Sequence, residues 1–419
     1  MSHHDVLVIG TGLAGLTAAV RVAQSGASVQ VLAKGVGATH LGGATIDVLG
    51  YAPERVERPR EALAGLPASH PYARVGAARV AAALDWFKSQ FSGGYGYTGS
   101  LDENFLLPTG VGVPKPSAVV PVTMAGGDLR SVTKVVAVGF RGLKDYHAAL
   151  LADELGRTMP SVEARATVLA LPVEGRPEFN AMGLAREFDR VEFRRTVIAQ
   201  LNTRLRPGEA VAFPAALGIA APHEAWSELE KGLARPVFEV PTLPPSVPGM
   251  RVFAVLRDAL RRAGGSLRLN NVVVGAESSG GRVQSLRVRV GLREERHSAD
   301  WIVLATGGFA SGGVALDSNW KAHETALGLP VAGVPEPREP RFEPEYFASH
   351  PMGRAGVAVD ERLRPVGVDG FDNVLVAGAT LAGAEPWKEK SGDGISLSTG
   401  FMAAELVLAE SGAIKEAMA

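Results

Sequence analysis

Gly10, Gly12 and Gly15 form a Gly-x-Gly-x-x-Gly loop directly after the apolar run VLVI (residues 6–9). Glycines at this spacing let the backbone turn tightly and approach a pyrophosphate at a helix N-terminus. There the unpaired N–H groups, here those around Leu13 and Ala14, and the helix dipole favour negative charge. The spacing alone also occurs in loops that only pack, but here a strand precedes it and a helix with small residues on one face follows. A second strand, VQVL (residues 29–32), completes the βαβ unit. An Asp or Glu should close that strand and hold an adenosine ribose. Ala33 and Lys34 stand there instead. The loop therefore predicts a nucleotide and withholds its usual label.

Two further glycine loops follow apolar strands. "LATGGF" carries Ala305, Thr306 and Gly307, and "LVAGATLAGAEPWKEKSGDGISLSTG" carries Gly378, Gly394 and Ile395, with backbone N–H groups expected to turn toward a ligand. Each alone reads as plain strand–turn–helix packing. In this order the three loops match the way two-dinucleotide-type flavoproteins enclose FAD, whereas a nicotinamide dehydrogenase has no use for the last. Gly42, Gly43 and Ala44, on the loop after the second strand, are expected along the isoalloxazine, and Val273 completes the cofactor set. His40 and Asp47 beside them read as structural, as do His70 and Tyr72, which would set a turn. His3 and His4 lack a third ligand at suitable spacing, so no metal site is expected.

The elements that must position these loops are legible in outline. "ARVAAALDWFKSQF" and residues 183–201 have helical apolar spacing, and 134–140, 161–173 and 210–219 look like strands. Four prolines in "VPTLPPSVPGM" (240–250) mark a rigid connection. Beyond it the nucleotide-domain character returns: a helix ending at Gly264-Gly265, a meander over 272–290 turning at Gly280-Gly281, buried strands within 299–313 and 372–384, and a last helix from 391. The expected fold is α/β, a Rossmann-like FAD/NAD(P)-binding domain split into 1–72 and 237–419, with an inserted α+β cap over 73–236.

The formal net charge of −1 gives no electrostatic footprint for nucleic acid or an anionic membrane. The absence of cysteine excludes disulfides, thiolate zinc sites and Cys-ligated iron–sulfur clusters in this chain. No run of 18 apolar residues occurs, and the first residues lack the basic start of a signal peptide. The expectation is a cytoplasmic protein that meets the inner face of the cell membrane only through partners.

The chain resembles the B subunits of anaerobic glycerol-3-phosphate dehydrogenase, flavoproteins related to those of fumarate reductase and succinate dehydrogenase. The resemblance runs the full length. It rests on the N-terminal loop, "SHPYARVG" (69–76), "PTLPPSVPGMRV" (241–252), "VLATGGFASGGV" (303–314) and "GVAVDERLRP" (356–365). It implies a flavin subunit of an enzyme oxidising sn-glycerol 3-phosphate to dihydroxyacetone phosphate. A companion catalytic flavoprotein subunit and an iron–sulfur membrane-anchoring subunit would pass the electrons to quinone. It also implies non-covalent FMN, which has no adenosine ribose for residue 33 to hold. The glycine framework points instead to full-length FAD, its ribose held by water or backbone. NADP, with Lys34 on a 2′-phosphate, fits the charge but leaves the last loop unexplained. The residues leave FAD and FMN both open.

Oxidising an alcohol with a flavin also calls for a base to take the hydroxyl proton and a cation to hold the phosphate. His350 and Arg354, in a loop before "GVAVDERLRP", are the candidates, Arg354 for its forked guanidinium. The scarcity of other acid–base residues suggests an electron-relay or scaffold subunit instead; a stand-alone fumarate-reductase-like enzyme is a further alternative.

Overall fold

The computed structural model describes residues 2–418 apart from 92–94, 172, 174, 176, 337, 338, 346 and 347. Its main sheet is built on the apolar runs read above. The strands Ser266–Leu269, Val29–Ala33, Ser2–Ile9 and Arg293–Leu304 lie side by side and parallel, and Val374–Val376 pairs with the last of these. Parallel strands are covered on both faces, which is why Val6, Leu7, Val8, Val31, Leu32, Val303 and Leu304 are all essentially inaccessible to water. The Leu13–Ala23 helix is buried almost all round, packed between the C-terminal Gly392–Met418 helix and the Val247–Arg262 helix. Its small face is what permits this, since Gly400 of the C-terminal helix sits against the backbone of Ala14 with no room for a Cβ.

The meander has the predicted form. Asn271–Ser279 and Arg282–Val290 are antiparallel, with Ser279 opposite Arg282. The two residues between, Gly280 at φ +60° and Gly281 at φ +79°, make a two-residue hairpin turn that needs positive φ at both positions. Arg282–Val290 in turn pairs with the first half of Arg293–Leu304.

A second sheet, in the order Val237–Val240, Ala210–Pro214, Lys134–Phe140, Glu163–Leu169, belongs to the inserted unit. Its strands are all parallel, a direction the mixed order of predicted elements did not reveal. Two-stranded antiparallel pairs lie before it, Tyr97–Gly99 with Val119–Pro121 and Phe105–Pro108 with Pro114–Ser117. The expected strand over 161–173 is formed at Glu163–Leu169, and Pro172 lies outside the described residues. The amphipathic run 183–201 is two helices, Ala181–Phe188 and Val191–Asn202. The break falls at Asp189, whose carboxylate accepts from the Ile219 and Ala220 N–H groups at 3.0 and 3.1 Å.

The hydrophobic cores divide the chain at points other than 73 and 236. Val80, Leu84, Phe87, Phe91, Tyr97 and Leu101 belong to the nucleotide-domain core, because the Ala77–Ser89 helix packs on the C-terminal helix. The core of the inserted unit runs from Leu106 to Val247 and takes in the Val237–Val240 strand. The two units are joined by a fully buried ion pair. Arg251 of the Val247–Arg262 helix donates to both Glu239 oxygens, at 2.9 and 3.1 Å, and to the Gly218 carbonyl. Glu239 also accepts from Thr123 and the Leu217 N–H, and the guanidinium lies 5.0 Å from the centre of the Tyr95 ring.

Candidate flavin site

A cleft of about 910 Å³ crosses the carboxyl ends of the parallel strands, where ligands of open α/β sheets bind. The Gly10–Gly15 loop is at its middle, and its three glycines do different work. Gly10, at φ +111°, makes the turn, and a Cβ there would strike the Ala305 carbonyl. Gly15 abuts the Gly10 carbonyl, so the helix can rise directly from the loop. A Cβ on Gly12 would meet nothing within 4 Å, because Gly12 faces open cleft. Gly12 is also the N-cap of the Leu13–Ala23 helix with no side-chain cap, which leaves the first N–H groups to a ligand.

The strand order fixes two arms for the cleft. On the side of Val29–Ala33 and Ser266–Leu269 it is lined by Ala33, Lys34, Asn271, Val273 and Arg289. On the side of Val374–Val376 and the C-terminal helix it is lined by Thr306, Gly307, Gly378, Asp393 and Ser396. Gly42, Ala44, Thr45 and Ile46 form part of its wall as well. Ala44 holds a left-handed backbone, φ +64°, with its carbonyl accepting the Tyr97 hydroxyl at 2.8 Å. A non-glycine residue in that region is kept there by its surroundings, and such residues cluster at ligand sites.

Most of the expected cofactor residues line this cleft, and four do not. Gly15 packs as just described, and Gly43 faces Pro241. Gly394 and Ile395 were expected to offer N–H groups to a ligand. The structure spends both elsewhere: the Gly394 N–H on the Asp47 carbonyl at 2.9 Å and the Ile395 N–H on Ser391 within the helix start. Asp393 and Ser396 of the same turn face the cleft in their place.

His350 and Arg354 are not among the residues lining it. The His350 Nδ1 accepts from the Glu343 N–H at 3.0 Å, its backbone N–H donates to Glu385, and its ring lies 5.9 Å from that of Trp387. Arg354 is exposed at the end of a short turn, Pro351–Arg354. The neighbouring prolines and aromatic rings hold this loop in its own cluster, an arrangement that local sequence could not reveal. His70 is a helix cap, its Nδ1 accepting from the Tyr72 N–H at 3.1 Å while its Nε2 faces Glu389 at 3.2 Å.

Among the described residues that line the cleft, the carboxyl group is that of Asp393. Loss of hydration raises its carboxyl to about 7, with the Asp47 carboxylate adding to the rise and Lys115 opposing it. Asp393 lines the cleft and is exposed by surface area, while the surrounding protein strips water from its carboxyl. Asp47 itself is buried and held by Lys115 at 2.6 Å and Ser117 at 2.7 Å, and Lys115 also donates to Thr45 at 2.8 Å.

The wall of the cleft also contains buried side-chain oxygens left unpaired. Thr39 Oγ1 and Asn271 Oδ1, both in residues that line it, have no partner among the described residues. Central N–H groups for an anion, arms on both sides and orphaned polar atoms fit an extended dinucleotide.

Comparison with known proteins agrees. Residues 5–395 match the model of the FAD binding domain family. The B subunit of anaerobic glycerol-3-phosphate dehydrogenase from Pectobacterium carotovorum is 32% identical over 423 positions, covering 97% of this chain and 99% of that one. This chain belongs to the family of anaerobic glycerol-3-phosphate dehydrogenase B subunits. A family member from Yersinia pestis is 31% identical over 432 positions, covering 97% and 98%. Among solved structures, the open conformation of a flavocytochrome c3 fumarate reductase aligns over 97% of this chain and 78% of that one, at 10% identity and a TM-score of 0.44. The family's FAD-binding domain corresponds to the reading from the glycine framework; FMN, the expectation from resemblance, finds no support.

Proposed function

We propose that this chain is the FAD-carrying B subunit of a glycerol-3-phosphate dehydrogenase assembly, and that the two-armed cleft centred on Gly12 is the FAD site. Gly12, Leu13 and Ala14 would hold the pyrophosphate on uncapped N–H groups. The adenosine would lie toward Ala33, Lys34, Asn271 and Val273, and the flavin toward Gly42, Ala44, Gly307, Gly378, Asp393 and Ser396. When bound, FAD supplies a redox centre that takes up electrons drawn from sn-glycerol 3-phosphate. Asp393 holds a proton near neutral pH at the flavin arm, and the Asp47–Lys115–Ser117 network fixes the charge beside it. The relatives' designation as B subunits supports an assembly. In this reading a companion flavoprotein and an iron–sulfur subunit at the membrane take the electrons on to quinone.

The cleft's lining favours a division of labour. Among the described residues that line it, the cations are Lys34 and Arg289, both on the adenosine arm, and no histidine is present. A phosphorylated alcohol needs a cation as well as a base beside the flavin, and the described lining of the flavin arm offers the Asp393 carboxyl but no cation. We therefore place the substrate chemistry on the companion subunit and electron relay on this one. Anaerobic addition of sn-glycerol 3-phosphate to the isolated FAD-loaded chain tests this. Flavin absorbance should bleach only when the companion subunit is present. Bleaching of the isolated chain would make it self-sufficient, and no bleaching in the assembly would remove the glycerol-3-phosphate reading.

A further inference from the structure

The second strand ends on Ala33, where nucleotide-binding units of this kind carry an acid for the adenosine ribose. Leu269 is the direct register partner of Ala33 on the neighbouring parallel strand. Two residues on, after Asn270 turns the chain at φ +59°, comes Asn271. Asn271 therefore reaches the adenosine arm from the adjacent strand, and it lines the cleft together with Ala33.

Its side chain is set up as an acceptor. Asn271 is 7% exposed. Its Nδ2 donates to the Leu269 carbonyl at 2.8 Å, which fixes the amide and defines which end is the oxygen. That oxygen has no hydrogen-bond partner among the described residues. A buried acceptor left unpaired is costly, and native proteins rarely keep one without a use. Ala33 offers no polar atom, and Lys34 and Arg289, the charged residues on this arm, can only donate.

We propose that Asn271 Oδ1 replaces the missing carboxylate and accepts a hydrogen bond from the adenosine ribose of FAD. The acceptor has moved from the end of the second strand to the start of the meander, one strand over. Asn271 thus adds one contact to the adenosine that FMN lacks, beside the pyrophosphate contacts of the Gly12 loop. A neutral acceptor in place of an acid also suits an arm that already carries Lys34 and Arg289, because no carboxylate there would be drawn into an ion pair with them.

This inference rests on the FAD reading, and the test separates the two. Binding of FAD, FMN and the 2′,3′-dideoxyadenosine analogue of FAD to flavin-stripped protein is measured by fluorescence. Wild type should bind FAD more tightly than FMN; if it does not, the FAD reading itself fails. Wild type should bind the dideoxy analogue about five- to tenfold more weakly than FAD, the worth of one hydrogen bond. Equal binding of FAD and analogue by wild type would overturn the assignment without any variant. Asn271→Ala should bind FAD as weakly as the analogue and keep its wild-type affinity for FMN. Asn271→Asp, which keeps an oxygen acceptor, should still prefer FAD. An Asn271→Ala protein that still distinguishes FAD from the analogue, or an Asn271→Asp protein that does not, contradicts the proposal.

Discussion

Arg251 and Glu239 face each other at 2.9 Å with both side chains almost wholly out of water, one on a nucleotide-domain helix and the other on a strand of the inserted sheet. A pair this deep is weak evidence of net stabilisation, but removing one partner strands a buried charge. Glu239→Ala should cost about 3–5 kcal/mol in urea unfolding of the flavin-free chain. A loss below about 1 kcal/mol, the range of an exposed pair, would mean that water reaches Arg251.

Gly12 and Gly15 should respond oppositely to the same methyl group. Gly12→Ala adds it in open cleft, so stability should change by no more than about 0.5 kcal/mol while FAD affinity falls at least ~tenfold. Gly15→Ala drives it into the Gly10 carbonyl and should destabilise the chain by about 1–3 kcal/mol. Thermal unfolding and FAD titration of the two variants separate the effects. A Gly12→Ala protein with unaltered FAD affinity would put the pyrophosphate elsewhere.

Asp393 makes the flavin-free protein sensitive to pH in a direction that can be worked out. Its carboxyl lies at about 7 when folded, against an ordinary value of 3.8. Between about pH 4 and 7 the folded chain therefore binds more protons than the unfolded one, and stability falls as pH rises. Above about 7 the loss from this group is complete. Asp393→Asn should flatten that slope, leaving the variant at least as stable as wild type at pH 8. The melting temperature across this range is the measurement, and an unchanged slope would show that Asp393 titrates normally.

His350→Ala and Arg354→Ala should each leave FAD affinity within about twofold of wild type, since neither residue lines the cleft and changes away from a site are usually near-neutral. A larger fall would bring the loop around Pro351–Arg354 into contact with the cofactor.

The sequence revealed the parts of the fold whose signals are local. The Gly10–Gly15 loop, the Gly280-Gly281 turn and the apolar strands could be read because each obeys a short-range rule of spacing or backbone freedom. Strand order could not, and strand order puts Asn271 beside Ala33 across more than two hundred residues of chain. Asp393 stands between Gly392 and Gly394, but a rule based on glycine backbone N–H groups points to Gly394 and Ile395, whose N–H groups are spent on Asp47 and Ser391. His350 and Arg354 had suitable chemistry for their expected roles, yet residue type carries no information about which cluster a loop joins.

That the two-armed cleft holds FAD is tested most directly by purifying the chain, denaturing it, and identifying the released cofactor by mass. The expected result is FAD, about one per chain. Release of FMN would leave the adenosine arm without a role, and a folded chain that releases no flavin would contradict the FAD site outright.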